Sequence, residues 1–197
     1  MTGDDVAAAA EAIRRGELVV YPTETVYGLG ADATDPAAIQ RVYEAKGRDR
    51  DDPVSLAVPD VETALAYTRP TEREQRFMRE FLPGPVTVVV ERRASVPDEL
   101  TAGRDRVGVR VPDQPVAHEL LRAVAPLTAT SANVSGSPSA RSVDELDAIR
   151  DRVAVVLDGG ETGGTGSTVV DVEAGTVHRR GARADAVEQW LADTAER

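Results

Sequence analysis

The strand-like apolar runs of this chain are short and numerous. "VTVVV" at 86–90 and "VAVVL" at 153–157 typify them: both are rich in β-branched valine and closely bounded by charges or proline. They fall far below the roughly 20 apolar residues needed to cross a bilayer, which excludes an integral membrane protein. Helical patterns alternate with such runs throughout. Helices are expected from Asp4 or Asp5 to about Arg15, from Asp35-Pro36 to about Lys46-Gly47, and over 60–67 and 71–81. Others are expected in "DQPVAHELLRAV", at 143–150 behind a Ser142/Glu145 capping box, and in "ADAVEQWLA". "LVVYPTET", "PVSLAV", "VTVVVE", "RVGVRV", "PLTATSA", "VAVVLDGG", "STVVDVE" and "TVHRR" read as strands. About seven strands alternating with six helices imply an α/β (α+β) sheet covered by helices. Without a repeat or linker, the 197 residues form one domain.

Composition removes several chemistries. There is no cysteine, hence no disulfide, thiolate nucleophile or cysteine-based zinc site, and two histidines offer little for a histidine site. Any metal would be an oxygen-bound ion such as magnesium. The formal net charge of -11 opposes non-specific attraction to nucleic acid. Acid is mixed with arginine along the whole chain, and Lys46 is the only lysine among 23 basic residues. This pattern reads as adaptation to a salty cytoplasm, as in a halophilic archaeon. The acidic, alanine-rich N-terminus reads as a capped helix and not a leader, so the expected location is cytoplasmic.

Familiar signatures fail. "DGGETGGTGST" at 158–168 lacks the Lys-Ser/Thr end of a phosphate loop, and no G-x-G-x-x-G follows the first strand. His118 and His178 lie in no nucleophile pattern and read as packing or surface residues. What remains is a set of polar residues at strand ends. In "YPTETVYGLG" a period of two puts Thr23, Thr25 and Tyr27 on one face and Glu24 and Val26 on the other, before Gly28 and Gly30. Alone, this reads more readily as an ordinary strand-to-loop turn. "TSANVSG" ends a strand in Thr130, Ser131 and Asn133, and "GSTVV" begins one with Ser167 and Thr168. Lys46 and Arg48 follow a helix, Arg110 lies inside the apolar "VGVRVP", and Arg179 follows "TVH". An arginine within a hydrophobic strand is costly unless it meets an anion, so the constellation suits a phosphate or carboxylate ligand.

"YPTETVYGLGADA", "KGR", "PGPVTVVV", "VGVRVP", "TSANVSG", "GSTVVDV" and "RRGA", in this order, resemble the YrdC/TsaC-like family of L-threonylcarbamoyladenylate synthases in its short, single-domain form. The resemblance runs from about residue 5 to 192. It implies a twisted mixed parallel/antiparallel sheet with flanking helices and a concave, positively lined ligand cavity. It also implies a reaction of L-threonine, bicarbonate and ATP giving threonylcarbamoyl-AMP and pyrophosphate. Magnesium would arrive with ATP, needing no protein metal site, and the product would pass to a tRNA threonylcarbamoyl transferase complex. Carried over by position, Thr23, Thr25, Arg110, Ala129 and Ser167 would bind threonine. Lys46, Arg48, Asp52, Arg106, Ser131, Asn133, Ser139 and Arg179 would bind ATP, with Lys46 and Arg48 catalytic. Two departures stand out: Asp52 replaces an asparagine common in the family, and Ala57 or Val58 occupies the place of a frequent histidine. The alternatives are a paralogue adenylating another small acid, or a protein that binds double-stranded RNA or the ribosome. The net charge weighs against RNA.

Overall fold

A computed structural model describes residues 3–194. The strands are β1 (Val19–Tyr21), β2 (Gly28–Gly30), β3 (Ser55–Ala57), β4 (Val86–Glu91), β5 (Arg106–Arg110), β6 (Leu127–Ser131), β7 (Val155–Val156), β8 (Thr168–Asp171) and β9 (Thr176–Arg179). The helices are α1 (Gly3–Arg14), α2 (Pro36–Lys46), α3 (Val61–Ala64), α4 (Glu72–Phe81), α5 (Asp98–Thr101), α6 (Pro115–Val124), α7 (Asp147–Arg150) and α8 (Ala184–Thr194). The strands form one mixed sheet in the order β7-β1-β2-β6-β3-β5-β4-β8-β9. Parallel pairs (β1/β7, β3/β5, β4/β8) mingle with antiparallel ones.

Two expectations are corrected. The strand "LVVYPTET" ends at Tyr21 because Pro22 has no N–H to give and the Thr23 hydroxyl accepts from the amides of Thr25 and Val26, closing a turn. Over 143–150 the chain forms a 3-10 turn (Val143–Glu145) and then α7. Ser142 makes no side-chain cap there, and Glu145 instead accepts from the Arg141 amide at 2.7 Å.

Alternation along the strands sorts the side chains. Val88 and Val90 of β4, Val107 and Val109 of β5 and Leu56 of β3 enter a core under α4 and α8, where Phe77 stacks on Phe81 and meets the edge of Trp190. Helices α1 and α6 bury Val19, Tyr21, Ala57 and Leu127, while α2 packs on Val20 and Leu29. The face of the central strands turned away from α4 therefore carries Thr87, Gly108, Arg110, Ser55 and Ala129. Apart from Arg110, these residues are small. A Cβ at Gly108 would lie 2.5 Å from Ser55 Oγ and 2.9 Å from Thr87 Cγ2, so these two side chains close over the glycine and form a floor.

Gly108→Val should therefore destabilise the protein by roughly 1–3 kcal/mol, the range for overpacking a filled site. Urea unfolding should show a lower midpoint at unchanged slope; an unchanged midpoint would show the floor to be loosely packed.

Candidate functional site

The turn after β1 supplies the first wall. Thr23 and Thr25 are buried, their hydroxyls 2.8 Å apart, and Thr23 Oγ1 also donates to the Val26 carbonyl at 2.6 Å. The hydroxyls converge as the sequence pattern suggests, but a turn brings them together and not strand alternation. Glu24, read from the alternation as pointing away, instead accepts from Arg110 Nη2 at 2.7 Å. The glycine-rich segment lies against this turn. Gly164 N–H donates to Thr25 O at 2.6 Å, and a Cβ on Gly163 would come within 2.8 Å of Glu24 O. Gly28 and Gly30 sit in β2 without a positive φ and make room for the ring of Tyr21, which would be about 3.0 Å from a Cβ at either position.

Lys46 ends α2. Asp35 caps the start of that helix, Pro36 sits in its first turn, and Gly47 (φ 56°) reverses the chain after it. The residue is buried, 1% exposed, and its ammonium donates to Ser131 O at 2.5 Å, Asn133 O at 2.8 Å and Asn133 Oδ1 at 3.2 Å. Lys46 O in turn accepts from Ser135 N–H at 2.8 Å, and Ser131 Oγ donates to Asn133 Oδ1. Burial, with the Arg48 charge adding to it, brings the Lys46 ammonium down to about 8. Arg48 donates to the carbonyls of Asp52 (3.1 Å) and Pro53 (3.1 Å). Asp52 thus contributes its main chain, its side chain being exposed.

Arg110 is buried on β5 and uses Nη2 for both Glu24 and Thr25 Oγ1, the latter at 3.2 Å. Arg179 on β9 donates to Ser167 Oγ at 2.8 Å and Ser167 O at 3.1 Å, and Ser167 Oγ lies 2.9 Å from Thr87 Oγ1. Burial first, then the charges of Arg110 and Arg48, lowers the Arg179 guanidinium from its ordinary range. Burial lowers Arg110 as well, against the opposing effect of Glu24. Three arginines and a lysine thus share one region, and among the described residues Glu24 is the only carboxylate bonded to any of them. Such a cluster is a site for an anion.

Other expected residues fall differently. Ala129 is half-buried in β6 opposite Ser55, on the floor. Ser139 lies in the loop after β6, half-buried, with no hydrogen bond among the described residues. Arg106 is not brought to the cluster: it starts β5, roughly 13 Å along the strand from Arg110, and is held by Glu74 (2.7 Å), Asp171 (3.2 Å) and Val89 O (2.6 Å). Ala57 pairs with Arg110 in register and shares its face, whereas Val58 enters the α4 core. His118 and His178 take no part. Sequence reasoning missed Ser55 and Thr87; the available signal was a lone hydroxyl within an apolar strand.

A family model named Sua5/YciO/YrdC, described as "Telomere recombination", matches residues 11–181. The chain belongs to the Sua5/YciO/YrdC family. It is 42% identical over 172 residues to the threonylcarbamoyl-AMP synthase of Pyrococcus abyssi, covering 85% of this chain and 50% of that protein. It is 39% identical over 170 residues to that of Bacillus subtilis, covering 84% and 49%. The crystal structure of P. abyssi Sua5 complexed with L-threonine superposes with a TM-score of 0.87 at 37% identity, over 92% of this chain and 55% of that one. The chain spans about half the length of each of these Sua5/YciO/YrdC relatives.

The Lys46 charge is present below about pH 8 and lost above it, while the arginines stay charged. Calorimetric titration with pyrophosphate from pH 6.5 to 9.5 should therefore show affinity falling as pH rises through about 8. A flat profile would show that the lysine does not sense the anion.

Proposed function

We propose that this chain is a threonylcarbamoyl-AMP synthase, converting L-threonine, bicarbonate and ATP into threonylcarbamoyl-AMP, pyrophosphate and water. The observation that carries the reading is the convergence of Lys46, Arg48, Arg110 and Arg179 over a floor of hydroxyls. The names of the relatives and the threonine-bound P. abyssi structure support it.

The amine of threonine attacks carbon dioxide or bicarbonate to give a carbamate. A carbamate oxygen then attacks the α-phosphate, and pyrophosphate leaves. Two anions must approach to about 3–3.5 Å, so positioning and fixed positive charge supply most of the rate. Arg110 takes the threonine carboxylate, with Thr23, Thr25, Ser167 and Ala129 shaping its pocket. Lys46, Arg48, Arg179, Ser131, Asn133 and Ser139 face ATP. Lys46 must loosen one of its bonds to 131–133 to meet a phosphate, so ATP binding and the arrangement of that loop are linked. Asp52 acts through its carbonyl on Arg48, and Arg106 is assigned to holding the far end of the sheet.

Magnesium would arrive on ATP, as the charge of the triphosphate requires. Bound there, the ion would neutralise the departing pyrophosphate. The product would serve a partner that modifies N6 of adenosine in tRNA, in a cytoplasm kept salty, as the arginine-rich, acidic composition suggests. A second reading, a paralogue that adenylates another small acid, is favoured by Ala57 beside Arg110.

The test is incubation with ATP, magnesium, bicarbonate and labelled threonine at high potassium chloride. Pyrophosphate and threonylcarbamoyl-AMP are expected; pyrophosphate only with another amino acid would establish the paralogue. Lys46→Ala and Arg110→Ala should each lower turnover by at least ~10²-fold, the scale for losing a transition-state charge partner. Unimpaired turnover in either variant would remove that residue from the site.

A further inference from the structure

We propose that Glu24 is the ammonium-binding residue of the amino-acid pocket, so that Glu24 and Arg110 together read the two opposite charges of a zwitterion. The inference rests on the amino-acid-activating reaction proposed above and assigns a binding residue within it.

The first observation is an unfilled acceptor. Glu24 Oε1 is satisfied by Arg110, but Oε2 is enclosed and has no hydrogen-bond partner among the described residues. A carboxylate oxygen taken from water and given no donor is destabilising, so it marks a place where a donor from outside the chain would be welcome.

The two threonine hydroxyls and Arg110 Nη2 are already committed. Thr23 gives its one hydroxyl proton to Val26 O, so in the Thr23–Thr25 contact the proton comes from Thr25. Arg110 Nη2 is shared between Glu24 Oε1 and Thr25 Oγ1, and Arg179 is engaged with Ser167. None of these donors bonds to Glu24 Oε2, so a ligand can supply the one it lacks.

The second observation is the sign of the charge. A pocket meant for a plain anion gains nothing from a carboxylate against its buried arginine; Glu24 would offset the attraction of Arg110 and repel the ligand. An α-amino acid presents both signs, joined through a single carbon, and so needs a cationic and an anionic partner that are immediate neighbours. Arg110 and Glu24, 2.7 Å apart, are such a pair. The same carboxylate would keep bicarbonate and phosphate out of the amino-acid half of a site otherwise lined with cations.

The experiment is calorimetry on the whole chain with L-threonine and with 2,3-dihydroxybutanoate, in which a hydroxyl replaces the amine. Losing a charge-assisted hydrogen bond corresponds to roughly 10- to 100-fold in affinity. The wild type should therefore prefer threonine by about that factor. Glu24→Gln should weaken threonine by a similar factor and raise its KM, while leaving the analogue's affinity and the KM for ATP unchanged. If Glu24→Gln does not fold, the wild-type preference and a Glu24→Asp variant carry the test. Equal binding of the two ligands by the wild type would overturn the assignment. So would a Glu24→Gln variant that weakens both alike, which would mean that Glu24 merely holds Arg110. A wild type that binds no amino acid removes the underlying activity, and the inference with it.

Discussion

The buried side chain of Lys46 ties the end of α2 to the end of β6. It ends a helix whose C-terminal dipole favours a cation, and it reaches the strand end and loop at 131–133 through three acceptors. One compact group with three rotatable donors can satisfy two carbonyls and an amide oxygen converging on a point; a planar guanidinium presents its donors in a fixed fork. In a chain that uses arginine at its 22 other basic positions, this geometry gives a reason for the single lysine. Without that tie, the segment bearing Ser131 and Asn133 would be held to α2 only through the bond from Ser135 N–H to Lys46 O.

The opposing constraint is the cost of crowding like charges. Desolvation opposes the charge on Arg179 first, and Arg110 and Arg48 lie near enough to add to that. The fold meets it with carbonyls for Arg48, a hydroxyl and carbonyl for Arg179, and one carboxylate for Arg110. Because the compensation is incomplete, an anionic ligand is more strongly attracted here than to any surface arginine paired with its own acid. Small residues at Gly108, Ser55 and Ala129 leave room above the sheet, and Gly28 and Gly30 admit the ring that backs it.

Much of this was legible in the sequence. Valine-rich runs located β4, β5 and β8, the Asp35-Pro36 pair located α2, and an arginine in an otherwise apolar strand singled out Arg110. What was not legible depends on tertiary closeness. The turn at 22–27 was hidden because Thr23, Thr25 and Tyr27 have the spacing of a strand face, and only the hydroxyl's capture of two amides decides against it. Glu24 was assigned to the wrong side for the same reason. Arg106 and Arg110 share a face of β5 in the sequence pattern, yet Glu74 and Asp171, distant in the chain, claim the first and leave the second to the site.

The most direct measurement is a crystal structure of this chain with L-threonine and a non-hydrolysable ATP analogue. The account predicts the threonine carboxylate on Arg110 and the phosphates on the side of Lys46, Arg48 and Arg179, with the reacting groups facing each other across the floor at Gly108. Ligands bound elsewhere, or phosphates seated on the Arg106 end of β5, would contradict it.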